Sequence, residues 1–293
     1  MISAAIPLVK DALSIFKLRI GVAIMMSAIA GAAVAPGPMP APWRMTTLAL
    51  AVLLASASAG AFNQWAEADL DRTMRRTAGR PFAAGRFRPG AAWLAAILAL
   101  LTFGVAAAYW SANGWAALFT FMGAFVYGVV YTVWLKRRTS FNIVVGGLAG
   151  SFAVMAGAAA VDPTVQAAPL VLSLVLFLWT PPHFWSLAIA SHDDYASAHV
   201  PMLPVTAGDK LAAKVILAHT LALVALSLAP FFLSAGVLYL VGAGSGGAVF
   251  IIASVRLVLE PSRKRALENF LASLLQLALL LSGAIADRLA GSF

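Results

Sequence analysis

Residues 63–81 read Asn-Gln-Trp-Ala-Glu-Ala-Asp-Leu-Asp-Arg-Thr-Met-Arg-Arg-Thr-Ala-Gly-Arg-Pro and directly follow a run, residues 45–62, that carries no charge. Three acids and four arginines therefore stand where an apolar helix leaves a hydrocarbon environment. Ionisable groups in or beside a membrane are costly and usually serve a function. On a helix, Asn63, Glu67 and Asp71 are spaced by four residues and share one face.

That face offers oxygen ligands only, which is the ligand type that a hard cation such as Mg²⁺ prefers. The arginines that follow suit phosphate, because a guanidinium group bonds phosphate oxygens in a planar fork. Carboxylates and arginines together at a membrane surface predict a site for a metal-bound diphosphate.

The composition indicates an integral membrane protein. The chain has 293 residues, of which 62% are hydrophobic and 11% are charged, whereas a soluble domain carries roughly 25% charged residues. The absence of cysteine excludes disulfides, thiolate metal sites and cysteine nucleophiles. The net charge of +9 does not indicate nucleic-acid binding, because the basic residues lie in short segments between apolar runs.

A transmembrane helix needs about 20 apolar residues. Charge-free runs of more than 40 residues, at 89–135 and 215–255, must therefore each hold two spans. We predict an all-α, polytopic membrane protein in which residues 1–293 form a single domain of about nine transmembrane helices. The predicted helices cover residues 20–36, 45–68, 90–110, 114–135, 141–161, 168–190, 213–233, 237–256 and 267–287.

The basic residues test this arrangement. With nine spans, all but Arg44 and Arg288 of the 20 lysines and arginines fall on one side of the membrane. Cytoplasmic loops carry an excess of basic residues, so this side is predicted to be cytoplasmic, with the N-terminus. We expect the first apolar run to be retained as a helix and not cleaved as a signal peptide.

Most of the acids fall on that same side, although the charge rule concerns basic residues. The two densest acidic groups, 67–71 and 193–194, close the second and the sixth predicted helix. Their presence at one membrane face predicts that they converge on a metal ion. The alternative is that they only pair with neighbouring arginines.

The pattern Asn63-x-x-x-Glu67-x-Asp69-x-Asp71, continued by Arg76 and Arg80-Pro81, resembles the first aspartate-rich motif of the UbiA superfamily of intramembrane prenyltransferases. Further stretches resemble the branch of that superfamily that modifies haem. These are Lys17-Leu-Arg19, Leu135-Lys136-Arg137-Arg138-Thr139 with Asn142-Ile143-Val144, Trp179-Thr180-Pro181-Pro182-His183-Phe184-Trp185, Asp193-Asp194-Tyr195 and Pro201-Met202-Leu203-Pro204-Val205.

The resemblance implies helices around a central cavity open to the cytoplasmic side, and Mg²⁺-dependent transfer of a farnesyl group from farnesyl diphosphate to a vinyl group of haem b. It implies Asn63, Glu67 and Asp71 as metal ligands, with a second metal site at Asp193 or Asp194, of which we favour Asp194. Many members carry two aspartates four apart in the second motif, but here the positions four on are Ser197 and Ala198.

The resemblance also suggests which other residues contact the diphosphate or the haem. Arg76 and Lys136 are expected to act with the metal ligands on the leaving diphosphate. Aromatic faces stabilise a farnesyl cation, and Trp65, Tyr131, Trp134, Phe184 and Trp185 lie near the expected depth, although core packing explains each of them as well. A structural role for His183 and a surface role for His199 stay open. The remaining candidates for contacts to diphosphate or haem are Arg80, Arg137, Lys17, Arg19, Tyr131, His183 and His199.

Two other functions are considered. A related enzyme that prenylates a quinone precursor or another ring would share the metal site and differ in its acceptor. A multi-span transporter is disfavoured, because transporters hold ionisable groups near the membrane midplane, often in repeated halves. Expected partners are farnesyl diphosphate, haem b, the lipid bilayer, and a downstream haem-modifying enzyme or oxidase assembly factor. The expected location is a bacterial inner membrane.

Overall fold

The computed structural model describes residues 10–164, 166–233 and 235–291, and these are mostly helical, with no strand among them. The helices are α1 (Leu18–Val34), α2 (Pro42–Ala66), α3 (Ala68–Thr73), α4 (Ala91–Ser111), α5 (Gly114–Phe125, continued by a π-helix, Val126–Leu135), α6 (Asn142–Gly146), α7 (Leu148–Val161), α8 (Ala167–Ala190), α9 (His192–Ser197), α10 (Leu203–Ala207), α11 (Asp209–Ser227), α12 (Ala229–Leu233), α13 (Val237–Leu259) and α14 (Arg263–Leu289).

The long helices form a closed ring. Each packs against the next in the order α1, α2, α4, α5, α7, α8, α11, α13 and α14, and α14 returns to α1. Contacts of α1 with α7 and of α8 with α14 cross the ring and fill its interior. The order follows the chain, since consecutive helices tend to be adjacent in space.

Within the described part of the chain, eight helical segments are long and apolar enough to cross a membrane. The helix α1 is also apolar but has 17 residues. Large apolar side chains such as Phe103 and Trp110 lie exposed on the outer surface, as expected for helices that face lipid. The prediction of an all-α polytopic membrane protein is confirmed, while the count of nine spans and the cytoplasmic opening stay predictions.

Two helices begin four residues before their predicted starts. The helix α14 begins at Arg263 and not at residue 267, because the Ser262 hydroxyl caps it by accepting a hydrogen bond from the Arg265 N–H. The helix α11 begins at Asp209 and not at residue 213, and its first turn carries that acidic residue, which the helix dipole favours at this end.

The glycines of α13 serve helix contact. A Cβ on Gly242 would lie 2.3 Å from the Leu279 carbonyl oxygen, and one on Gly246 would lie 2.9 Å from Gln276 Cα. Small residues of this kind let membrane helices approach closely. Close packing against α14 therefore offsets the low helix propensity of these glycines.

Candidate active site

The end of α2 carries the first group of predicted site residues. Asn63, Glu67 and Asp71 are each only 2% exposed. The Asn63 Nδ2 amide donates to Glu67 Oε2 at 2.9 Å, so these two side chains share a face as the spacing predicts. At Glu67 the backbone leaves helical geometry and α3 begins. Asp71 N still donates to the Glu67 carbonyl at 2.8 Å, so the turn continues between the two acids.

The π-helix after α5 brings a second element to the same place. Its wide turns are closed by bonds to the fifth preceding residue, such as that from Lys136 N to the Tyr131 carbonyl at 2.9 Å. Lys136 Nζ donates to Glu67 Oε2 at 2.5 Å, and Thr132 Oγ1 accepts from Asn63 Nδ2 at 2.9 Å. Irregular π-turns recur at functional sites, where they redirect side chains.

Lys17 joins the site from the start of α1. Its backbone is left-handed, with φ 47°, which is costly for a residue other than glycine. Its Nζ donates to Asn63 Oδ1 at 2.6 Å and to the Tyr127 hydroxyl at 3.2 Å. These two bonds hold the backbone in a conformation that it would otherwise avoid, and they direct the ammonium group toward the carboxylates.

Asp71 is bound by the loop that follows α3. Arg80 Nη1 donates to both carboxylate oxygens of Asp71 at 2.8 Å. The Thr77 hydroxyl donates to the Asp71 carbonyl at 3.0 Å, which folds the loop back over the helix. Hydrogen bonds between charged groups are shorter and stronger than neutral ones, so this contact fixes the loop at the site.

The second acidic group meets the same loop. Asp194 Oδ2 accepts from the backbone N–H of Arg76 at 3.3 Å, and Arg76 Nη2 lies 3.5 Å from the Tyr195 hydroxyl. Asp193 is exposed. Of the two candidate aspartates, Asp194 is therefore the one that lies beside the segment after the first motif.

Lys17, Asn63, Glu67, Asp71, Arg80 and Lys136 form what we call the polar cluster. Burial lowers the pKa of the Lys17 ammonium well below its usual range, and the nearby charges of Arg80 and Lys136 lower it further against the opposite effect of Glu67 and Asp71. Burial also lowers the pKa of Lys136, although Glu67 favours its charged form. An added anion would favour both charged forms, so the polar cluster is suited to bind one.

The donor atoms of the polar cluster determine whether a metal ion fits. In the part of the chain that the structure describes, no three His, Asp or Glu side chains are gathered closely enough to hold a metal. Lys136 and Arg80 occupy oxygens of Glu67 and Asp71 instead. Glu67 Oε1, however, is buried and without a hydrogen-bond partner, and the acceptors of the cluster are all oxygens. This donor set fits a hard divalent cation.

Pairing with arginines explains one acid of the motif completely. Asp69 bonds Arg72 at 2.7 Å and its side chain is 90% exposed, so it lies outside the polar cluster. Other predicted contacts also lie at the surface: the side chains of Arg19, Arg137 and His199 are exposed.

His183 lies in the helical core. Its Nδ1 is 2.7 Å from the Ser273 hydroxyl, and its ring stacks between Trp179 and Phe270 at centroid distances of 4.2 and 4.5 Å. The helix α8 continues through the prolines that precede it. These contacts favour the structural interpretation of this histidine.

The aromatic candidates separate by position. Tyr131 is buried, stacks on Tyr127 at 5.7 Å and lies under the Lys136 ammonium, so it borders the polar cluster. Trp134 is exposed on the outer surface, and Trp65 donates to the Gly90 carbonyl. Phe184 meets the His183 ring edge-on, and Trp185 is buried in the apolar cluster that also contains Tyr131.

Sequence reasoning missed Tyr127 and Thr132. On a regular α-helix, two residues five apart are rotated by about 140° from each other, so these side chains would face different neighbours. The π-helix brings both to the polar cluster. There the Tyr127 hydroxyl accepts a hydrogen bond from Lys17, and the Thr132 hydroxyl accepts one from Asn63. The only signal available was the polar type of these residues within an apolar run.

A pocket adjoins the polar cluster, and its walls come from α1, α2, α5 and α7. Lys17 and Tyr127 stand at one end, and most of the other lining side chains are apolar. A charged end and an apolar body match an amphiphilic ligand with a slender tail.

A model of the UbiA prenyltransferase family matches residues 24–280. Protoheme IX farnesyltransferase 2 of Paramagnetospirillum magneticum is 56% identical over 276 residues, which cover 94% of this chain and 96% of that relative. The fold is similar to that of a UbiA homolog from Aeropyrum pernix, with a TM-score of 0.73, 22% identity and coverage of 92% of this chain and 98% of the other. It is also similar to a UbiA homolog from Archaeoglobus fulgidus bound to GPP and Mg²⁺, with a TM-score of 0.69, 16% identity and coverage of 94% and 99%. The chain belongs to the UbiA prenyltransferase family.

Proposed function

We propose that this protein transfers the farnesyl group of farnesyl diphosphate to a vinyl group of haem b and so forms haem O for haem-copper oxidases. The observation that carries the proposal is the polar cluster, with its ammonium and guanidinium groups paired to buried acids and an amide, at the end of an apolar pocket. The 56% identical relative, whose name is protoheme IX farnesyltransferase 2, supports the choice of donor and acceptor.

The proposed reaction begins at C1 of the farnesyl group. The bond between C1 and the diphosphate oxygen breaks, and its electron pair leaves with the diphosphate. The terminal vinyl carbon of haem bonds C1, and the cation left on the inner vinyl carbon takes the oxygen of a water molecule, which loses a proton. The products are a hydroxyethylfarnesyl haem and diphosphate.

The basic side chains of the polar cluster are suited to bind the diphosphate. Lys17, Arg80 and Lys136 come from three separate elements, and each bonds one member of the Asn63, Glu67 and Asp71 series. Fixed positive groups that neutralise the growing charge of a leaving diphosphate lower the barrier in a site that excludes water. Arg76, held beside Asp194, extends the positive charge toward the surface.

Asn63, Glu67, Asp71 and Asp194 are the residues that would hold Mg²⁺. The unpartnered Oε1 of Glu67 supports this assignment. A UbiA homolog from Archaeoglobus fulgidus, whose fold is similar, binds GPP and Mg²⁺. When bound, the metal supplies Lewis-acid stabilisation of the diphosphate. The chain itself positions three of these side chains, since the Asn63 to Glu67 bond and the Arg80 to Asp71 bond fix them. Asn63 also accepts from Lys17, which lines the pocket.

The pocket is suited to the prenyl chain. Its mostly apolar lining keeps water from the carbon that becomes cationic, which slows premature hydrolysis. Tyr127 and Tyr131 stack at its polar end, where their faces stabilise positive charge on the chain.

The polar cluster is proposed to face the cytoplasm of a bacterium, with the protein in the inner membrane. Because the chain has no cysteine, single cysteines report orientation. We expect a membrane-impermeant maleimide added outside intact spheroplasts to label the Arg44→Cys variant and to leave the Lys10→Cys variant unlabelled. The reverse pattern would contradict the proposed orientation. Both positions are exposed, so permeabilised membranes should label both.

The function itself is tested by haem extraction. The protein is expressed in a membrane that lacks haem O, and the non-covalent haems are analysed by mass spectrometry. We expect a product with the mass of haem b plus farnesyl and the elements of water. Its amount should fall by about a hundredfold or more when the Asp71→Asn variant is expressed to the same level. Unmodified haem b from well-inserted protein, with farnesyl diphosphate present, would contradict haem as acceptor and indicate a quinone-type ring.

A further inference from the structure

The pocket beside the polar cluster has a measurable length. Along α2 its lining runs from Gly60 to Val52, and along α5 with the π-helix it runs from Tyr127 to Phe119. Each path covers eight residues, which corresponds to about 12 Å at the rise of a helix. The pocket therefore extends from the polar cluster into the membrane interior as a slot, with most of its walls made of small residues.

The far end of the slot is closed by helix contact. One turn beyond Ile24 and the neighbouring Ala153, the backbones of α1 and α7 meet, since a Cβ on Gly157 would lie 1.7 Å from the Ala28 carbonyl oxygen. A second contact lies at Gly31, where a Cβ would be 2.1 Å from the carbonyl oxygen of Val154 in α7. Backbones this close leave no space for a ligand between them, so the slot cannot continue in that direction.

Large side chains stand at this closed end. Ile24, Val52 and Phe119 contribute to the lining from three different helices, and all three belong to or pack against one apolar cluster. The Phe119 ring packs against the rings of Phe152 and Trp115, with centroid distances of 6.1 and 6.2 Å. These contacts hold the ring in place, because a supported aromatic side chain has few alternatives in a packed interior.

We propose that Ile24, Val52 and Phe119 set the length of the prenyl chain that the enzyme accepts, with Phe119 as the main stop. The inference rests on the proposed function in that it assigns the slot to the chain of the donor diphosphate. The diphosphate lies at Lys17 and the chain follows the slot away from it, so each further isoprene unit must find space at the closed end.

Phe119→Ala removes the main stop. We expect the variant to retain transfer of farnesyl and to gain use of geranylgeranyl diphosphate, with the ratio of geranylgeranyl to farnesyl product rising at least about tenfold in competition. The readout is the mass of the product haem. The matched control is Phe121→Ala, which removes the same ring from the same helix at an outward-facing position that is 40% exposed and should leave the ratio unchanged.

Ser56→Leu tests the slot from the opposite direction. Ser56 lines the slot between Gly60 and Val52 and is half-buried, so a larger side chain there shortens the free length. We expect the ratio of farnesyl to geranyl product in competition to fall at least about tenfold. This variant also keeps the proposal testable if Phe119→Ala does not fold.

Binding without an acceptor separates this inference from the proposed function. The thermal stabilisation of the purified protein by geranyl, farnesyl and geranylgeranyl diphosphate is measured with Mg²⁺ and no haem. We expect the wild type to be stabilised more by farnesyl than by geranylgeranyl diphosphate. The preference should shift toward the longer chain in Phe119→Ala and toward the shorter chain in Ser56→Leu. This result would support the length limit even if haem is not the acceptor. Equal binding of all three by the wild type, or unchanged preferences in variants that still bind farnesyl diphosphate, would overturn it.

Discussion

The Asp71→Asn variant is expected to lose farnesyl transfer by about a hundredfold to a thousandfold, which is the loss typical when one electrostatic group of an active site is removed. Both carboxylate oxygens of Asp71 accept hydrogen bonds from Arg80 Nη1 at 2.8 Å. An amide has one acceptor oxygen and no charge, so the variant loses both the fork that positions Arg80 and a candidate metal ligand. The measurement is the rate of haem O formation in membranes with saturating substrates.

Asp69→Asn is the matched control, because it makes the same change two residues earlier in the same motif. The Asp69 side chain is 90% exposed and pairs with Arg72 at the surface, and such pairs contribute little. Its activity should therefore stay within about twofold of the wild type. Wild-type activity of Asp71→Asn in correctly inserted protein would be incompatible with the polar cluster as the site of diphosphate cleavage.

Removal of divalent metal is expected to abolish prenyl transfer, and added Mg²⁺ is expected to restore it. A bound diphosphate adds negative charge beside Glu67 and Asp71. Lys136 and Arg80 already pair with these two carboxylates, so they cannot also neutralise the whole charge of the diphosphate. The experiment treats purified protein with EDTA, removes the chelate by exchange into metal-free buffer, and measures product before and after Mg²⁺ is added.

The control for this experiment is thermal stability. If the metal acts only with the substrate, EDTA alone should leave the unfolding temperature unchanged, while farnesyl diphosphate should raise it only when Mg²⁺ is present. Product formation that persists after exhaustive removal of metal, verified by elemental analysis, would count against Mg²⁺ as a cofactor and leave diphosphate binding to Lys17, Arg80 and Lys136 alone.

The membrane character and the helix positions could be read from the sequence because they depend on local properties. An apolar run of sufficient length becomes a helix in lipid, where each backbone polar group must be satisfied within its own segment. The first motif was equally accessible, since Asn63 and Glu67 are four residues apart and any helix places them on one face. Their mutual hydrogen bond in the structure follows from this spacing.

The partners of these residues depended on the tertiary structure. Lys17 reaches Asn63 across 46 residues of sequence, and Lys136 reaches Glu67 across 69. No local pattern determines such a pairing, because it arises from the order in which α1, α2 and the π-helix meet in the ring. The choice of Asp194 over Asp193 was likewise a weak prediction from sequence, and the contact with the Arg76 N–H supports it.

The sequence by itself determined that this is a helical membrane protein with a cluster of oxygen ligands and basic groups at one face, because hydrophobic length, charge placement and helical spacing are properties of short segments. Only the tertiary structure decided how deep the adjoining pocket is and where it ends. Its closure depends on the crossing of α1 and α7 at Gly157 and Ala28, and a crossing point is set by the packing of two distant helices against each other.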